Sequence, residues 1–241
     1  MRAFTLALMT LLAAAPALAV EPTAEELLAK YDAVMGPKTF ETESEMTAYR
    51  EDGSSRTYVM KMLRGEDDKF RIWFKGPASV KGQEMLRSGD NMWVYLPNLK
   101  RATRIANRDS FQGGDFNNAD VMRVNYTKDY TAKVVASEVP DTYALELKAK
   151  NAETAYDAIK LWVHKKDGMP VKGEYYGTSG QMLRSAEFTE FTEFDKGYTR
   201  PAKVVMRNEL VKARRSELVM KTVKLNVEAP AQRFTQTDLG R

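Results

Sequence analysis

Few side chains in this sequence are able to do chemistry. A hydrolase triad needs a nucleophile beside a histidine, and the 241 residues contain one histidine, His164. It ends a strand-like run next to the turn Lys165-Lys166-Asp167-Gly168. No nucleophile element accompanies it, because Gly177-Thr178-Ser179-Gly180-Gln181 lacks the second glycine where G-x-S-x-G requires it. His164 therefore reads as a solvated histidine flanking a turn. Glu187, Glu190 and Glu193 have the residue type for acid–base work, but three-residue spacing on a strand sends them to alternate faces. They read as solvent-side charges. The absence of cysteine excludes disulfides, thiolate metal sites and a cysteine nucleophile, and a lone histidine excludes a two-histidine zinc motif. Asp109, Asp115 and Asp120 are spaced too irregularly for an EF-hand loop. No phosphate loop or dinucleotide fingerprint occurs, and Gly113-Gly114 reads only as a flexible pair. The expectation is a protein that is not an enzyme and uses neither metal nor cofactor.

What remains is apolar and basic surface. The chain carries 13 methionines, and Met60 and Met62 share one strand face. Methionine adapts to irregular apolar partners, so this abundance favours a surface that accommodates a flexible guest. Lys100, Arg101, Arg104 and Arg108 form a basic run. It serves either to solvate a loop or to attract an anionic headgroup, membrane surface or acidic partner. A net charge of +4 without a recognition motif gives no reason to expect nucleic acid.

The elements that must position these residues follow from pattern. Arg2, the apolar run Phe4 to Ala15 and Ala17-Leu18-Ala19 read as a signal peptide cleaved after Ala19. That predicts export to the periplasm and one domain over residues 20–241. No later run is long enough to span a bilayer, so the mature chain is expected to have no transmembrane segment. Thr23 and Glu26 form a capping box for a helix whose stripe is Leu27, Leu28, Tyr31, Val34 and Met35. Gly36-Pro37 ends it, with glycine expected in a left-handed cap. Alternating runs then predict strands at 56–63, 69–75, 83–87, 92–96, 128–139, 143–150, 159–164, 170–176, 181–194, 203–210 and 217–227. Their connections are mostly too short for βαβ crossovers, so the sheet is expected to be a largely antiparallel meander curling into a barrel or half-barrel. Phe188, Phe191 and Phe194 recur every third residue, which predicts a bulge or a strand buried on both sides. The stretch 98–121 has no strand pattern and reads as a functional loop or lid, with a short helix over 117–122.

Particular residues in this frame resemble a known family. They are Arg71-Ile72-Trp73-Phe74-Lys75-Gly76-Pro77, Gly82 to Leu86, Met92-Trp93-Val94-Tyr95-Leu96-Pro97 with its basic tail to Ile105, and Phe111-Gln112-Gly113-Gly114-Asp115-Phe116 with Asp120. Together they resemble the LolA-like outer membrane lipoprotein-sorting family. The resemblance implies a mainly β fold: a curved antiparallel incomplete β-barrel of the LolA/LolB type, covered by helices that plug its mouth. It also implies a periplasmic carrier of acyl chains of lipoproteins or other lipids. An inner-membrane exporter and an outer-membrane acceptor would be its partners, and an exporter-associated or lipid-sensing accessory protein is the alternative. On this reading Tyr58, Met60, Met62, Phe70, Ile72, Phe74, Val94 and Leu96 line the apolar concave face. A one-residue change of register would replace them by Val59, Trp73, Trp93 and Tyr95. Leu27, Tyr31, Val34 and Met35 would be the helical plug, with Phe111 and Phe116 in a second gate. Arg101 and Arg104 would meet a headgroup or partner.

Overall fold

The computed structural model describes residues 21–122 and 125–241, so the expected signal segment 1–19 lies outside the described residues. Helix α1, Ala24–Met35, begins with the anticipated box: Glu26 N–H donates to Thr23 Oγ1, and Thr23 N–H donates to the Glu26 carboxylate. The helix stops at Gly36, which has φ −142° rather than the expected left-handed cap; its N–H donates to the Asp32 carbonyl. Leu27, Leu28, Tyr31 and Met35 form the buried stripe.

Two meanders build one sheet. The first runs β1 (Phe40–Tyr49), β2 (Ser55–Gly65), β3 (Lys69–Gly76), β4 (Glu84–Ser88), β5 (Asn91–Leu96) and β6 (Arg101–Ile105). The second runs β7 (Tyr130–Val135), β8 (Thr142–Ala149), β9 (Ala158–His164), β10 (Pro170–Tyr176), β11 (Met182–Asp195), β12 (Tyr198–Asn208) and β13 (Arg215–Leu225). β1 pairs with β13 and joins them, giving the order β6-β5-β4-β3-β2-β1-β13-β12-β11-β10-β9-β8-β7. All pairings are antiparallel, and the edge strands β6 and β7 are not paired with each other. A twisted sheet this wide must curl. The result is a curved, open sheet, an incomplete barrel, with α1 and residues 106–122 and 125–129 on its concave side.

Four elements depart from the sequence pattern. The strand expected over 128–139 is shorter: residues Tyr126–Asp129 form a short helix, and only Tyr130–Val135 is strand. β1 was not anticipated: its inward positions include Thr42 and Ser44 and its outward ones Glu41, Glu43 and Glu45, so apolar alternation is weak. Residues 101–105 belong to an edge strand, so the cover over the sheet starts only at residue 106. The bulge expected in the phenylalanine run falls between Glu193 and Asp195. Two-sided burial does not occur, since Phe188 is buried while Phe191 is 44% exposed.

The last residues form a second, smaller apolar cluster. Phe234 and Leu239 pack on the convex side against Leu63 and Leu86, with Trp73, Trp93 and Tyr95 around them. Gly65 makes room: a Cβ there would sit 2.8 Å from the Phe234 ring. Arg71, also facing outward, is fully buried beneath this segment. It donates to Glu84 (3.0 Å) and to the carbonyls of Arg233 (2.7 Å) and Asp238 (2.8 Å), and pairs with the Asp238 carboxylate.

Candidate functional site

The register fixes which side chains face inward. Met46 lies opposite Tyr58, Thr42 opposite Met62, Met62 opposite Ile72, and Met85 between Ile72 and Val94. Tyr58, Met60, Met62, Phe70, Ile72 and Phe74 are accordingly buried on the concave face, with Val94 half-buried against the same cluster. Leu96 shares that face near the open edge and is half-buried. The alternative residues Trp73, Trp93 and Tyr95 lie under the C-terminal segment instead.

Between the sheet and its cover is a cavity of about 60 Å³, space for a few water molecules. Of the anticipated wall residues, Met62 and Phe70 reach it. Tyr58 instead donates to the Gln112 carbonyl (3.0 Å), and Phe74 packs on Phe111 at 5.9 Å between ring centres. Tyr31 and Met35 of α1 and Phe116 of the cover reach the cavity, while Leu27 and Phe111 are buried elsewhere and Val34 is half-buried beside an outer cleft. The sequence pattern did not reveal the opposite wall, which comes from β10 to β13 and includes Phe188, Arg200, Met206, Leu218 and Met220. Alternation in 204–206 and 218–220 was visible, but nothing local said which face would meet a plug. Arg101 and Arg104 are not brought together: opposite Leu96 and Trp93 respectively, they occupy different faces of β6, both exposed.

Polar contacts hold the cover down. The Asp32 carboxylate of α1 accepts from the N–H groups of Tyr126 and Thr127 (both 2.8 Å) and from the Thr127 hydroxyl. It thereby caps the short helix α3, Tyr126–Asp129. Burial pushes the Asp32 carboxyl up, and these donors oppose the shift. Asp115 accepts from Asn208 Nδ2 and Ser216 Oγ, each at 3.0 Å. Its carbonyl accepts from Arg184 Nε at 3.0 Å. Gly113-Gly114 is thus a fitted turn: Gly113 has φ +73°, and a Cβ on Gly114 would meet Ser216 Oγ at 3.0 Å.

Asp120 lies at the cavity, in α2, Asn118–Met122. It accepts from Asn117 N–H (2.7 Å) and the Tyr156 hydroxyl (2.8 Å). Burial raises its pKa to about 6, against those two donors. A carboxyl raised in the folded state binds protons that the unfolded chain has already released. Its contribution to stability is therefore present at low pH and fades as pH rises from about 4 through about 6. Asp120→Asn is expected to flatten that part of the stability profile, by up to about 3 kcal/mol across the window. Urea unfolding at pH 4 and pH 7 checks it, and equal pH dependence in both proteins would refute it.

Among the described residues no cluster of histidine, aspartate and glutamate is placed to hold a metal ion. No described helix is long and apolar enough to cross a membrane. Glu187 and Glu190 are exposed and pair with Arg207 and Lys203, and Glu193 is exposed as well.

Comparison with known proteins agrees with this architecture. A family model described as uncharacterized-protein-like matches residues 66–241. No curated protein matches significantly. A LolA superfamily protein from Nitrosomonas europaea is similar in structure with TM-score 0.82 and 27% identity, over 90% of this chain and 99% of that one. A domain described as outer membrane lipoprotein-sorting from Vibrio parahaemolyticus gives 0.81 and 22%, over 90% and 98%. A DUF1329 family protein from Desulfovibrio piger gives 0.79 and 22%, over 89% and 97%; at these identities the two share the fold. The chain belongs to the family of that sequence model, within the LolA superfamily.

Proposed function

We propose that the protein is a periplasmic carrier. It binds acyl chains of lipoproteins or other lipids on the concave face of its sheet and ferries them towards the outer membrane. An inner-membrane exporter and an outer-membrane acceptor are the partners this role needs. One observation carries the reading: an apolar, methionine-rich cavity is shut by a plug and cover that are separate from the sheet and held by a few polar contacts. Met35, Met62, Met206 and Met220 all face it. The similarity to a lipoprotein-sorting domain supports the same role.

The energetics fit a carrier. At about 0.8 kcal/mol per CH₂, a sixteen-carbon chain gains roughly a dozen kcal/mol on leaving water. Pockets for ligands of modest size occupy about 300–1,000 Å³. The cavity of about 60 Å³ is far smaller, so binding must displace α1 and the cover. The plug gives up its own apolar packing as it moves, which offsets much of the gain and keeps loading reversible. Release at an acceptor then needs no chemistry, only the return of Tyr31, Met35 and Phe116 to the wall.

The test is purification of the mature protein from membrane-containing cells, followed by lipid mass spectrometry. A stoichiometric acyl lipid is expected. Protein that emerges empty and takes up neither lipid nor lipopeptide in vitro would overturn the proposal.

A further inference from the structure

Among the described residues, the cavity wall contains one cation. Arg200 of β12 is 2% exposed and faces the cavity. Its Nη1 donates to the carbonyl of Met35 at 3.1 Å, and its Nε reaches the Pro201 carbonyl at 3.5 Å. Among the described residues no carboxylate forms an ion pair with it: Asp120, the acid on the same cavity, is engaged by Asn117 and Tyr156. Arg64 adds a second positive charge nearby; burial first, and the Arg200 charge in addition, disfavour its protonated form, while the Asp68 and Asp32 carboxylates favour it. Tyr198, two residues along β12, completes the surroundings and donates to the Val34 carbonyl at 2.7 Å. A buried guanidinium without an anion is costly, and fixed carbonyls recover only part of its lost hydration.

In the closed structure the substitute for an anion is the end of α1. Met35 is its last residue, and the carbonyls there carry the negative end of the helix dipole. Arg200 and Tyr198 both hold carbonyls of that last turn. When α1 leaves, Arg200 loses its main acceptor and faces an apolar chamber. The chamber lies next to an open cleft lined by Val34, Tyr198 and Thr199.

We infer that Arg200 is a binding residue for the headgroup of the cargo, which is an anionic amphiphile: an acyl chain ending in a carboxylate or phosphate. The chain replaces Tyr31, Met35 and Phe116 against Met62, Phe70 and Met206. The headgroup replaces the Met35 carbonyl on the guanidinium, at the cleft end of the chamber. Plug and cargo thus compete for one cation, and α1 cannot reseat fully until the anion leaves. This inference rests on the carrier reading and adds the charge of the ligand to it.

The experiment compares dodecanoate, dodecyl phosphate and dodecanol as competitors of a fluorescent acyl probe at pH 8 and fixed salt. Wild-type protein is expected to bind each anion at least about tenfold more tightly than the alcohol, as for a charge-assisted hydrogen bond in a covered site. Arg200→Gln should bring that ratio close to one, and Arg200→Lys should keep part of the preference. Taking the ratio cancels any general loosening of the plug. Inorganic phosphate and acetate at millimolar concentration should displace neither amphiphile, because the chain supplies most of the affinity. The inference fails if wild-type protein binds the alcohol as tightly as the anions, a result that needs no variant to fold. It also fails if Arg200→Gln keeps the wild-type ratio, or if free phosphate or acetate competes. In each of those cases acyl binding itself persists and the carrier reading stands. Failure to bind any of the three amphiphiles overturns both.

Discussion

Arg71→Ala is expected to lower the free energy of unfolding by about 3–5 kcal/mol, the range for removing one member of a buried ion pair. The Arg71 side chain has no exposed surface, and that of Glu84 is 8% exposed. Without the guanidinium, Glu84 keeps a buried charge, and the carbonyls of Arg233 and Asp238 lose their donor. The C-terminal segment then rests on its apolar packing, chiefly Phe234 and Leu239 with Val227 and Ala229 beside them. Two measurements separate the parts. Urea unfolding should give the full loss, and limited proteolysis should cut the segment 226–241 first. Arg71→Met combined with Glu84→Leu should recover most of the stability, because an apolar pair there needs no counter-charge. A single variant that unfolds like the wild type would mean that Arg71 does not tether the segment.

Arg71 also shows where the sequence stops being informative. As an outward residue in Lys69-Phe70-Arg71-Ile72 it looks like any solvated strand arginine. Only the return of residues 226–241, with no strand or strong helix pattern of their own, makes it internal. Most strands were legible because the concave face is apolar over long runs: Tyr58, Met60 and Met62 on β2, and Phe70, Ile72 and Phe74 on β3. β1 was hidden because its inward Thr42 and Ser44 satisfy each other's hydroxyls at 3.2 Å, so the buried side of that strand is polar where it lies in the core. One part of the cavity was legible for a similar reason: Met62 and Phe70 of the anticipated wall, with Tyr31, Met35 and Phe116 of the plug and cover, reach it. The face of β2 and β3 declares itself locally, but contact with the plug depends on how far the sheet curls. That is set by all thirteen strands together. Arg200 was invisible for both reasons: it is charged, and its partner is a main-chain carbonyl 165 residues away.

The curl has a mechanical consequence. β6 and β7 are the open edges of the sheet and are consecutive in the chain. The described parts of the connection between them, residues 106–122 and 125–129, lie over the concave face and are fixed at several points. Gln112 meets Tyr58 on β2, and Asp115 meets Ser216 and Asn208 on β13 and β12. Asp120 meets Tyr156 before β9, and Thr127 meets Asp32 on α1. These contacts are local and polar, so each is a point at which closure can be weakened without altering a strand pairing. Asp115 is the strongest of them, being 1% exposed and charged, with Arg214 Nε 3.6 Å away besides its two hydrogen-bond donors.

Asp115→Ala is therefore expected to act in opposite directions on stability and on binding. Hydrogen bonds to a charged group contribute about 1.5–3 kcal/mol each, and some are replaced by water once the turn loosens. The closed, empty protein should become less stable by about 2–4 kcal/mol on that basis. If loading requires the cover to lift, the same loss is subtracted from the cost of opening. Observed affinity scales with the fraction of molecules able to bind, so an acyl ligand should bind about 30-fold more tightly or better. Association should also be faster. Asp115→Asn keeps one acceptor and should fall between the variant and the wild type on both scales. The measurements are thermal or urea unfolding without ligand and a dodecanoate titration. The sign of the affinity change is the decisive reading. A cavity that fills without moving its cover would give equal or weaker binding in Asp115→Ala, since the turn that carries Phe116 into the wall would be less well placed. Tighter binding by a less stable protein is the result that only a displaceable cover produces.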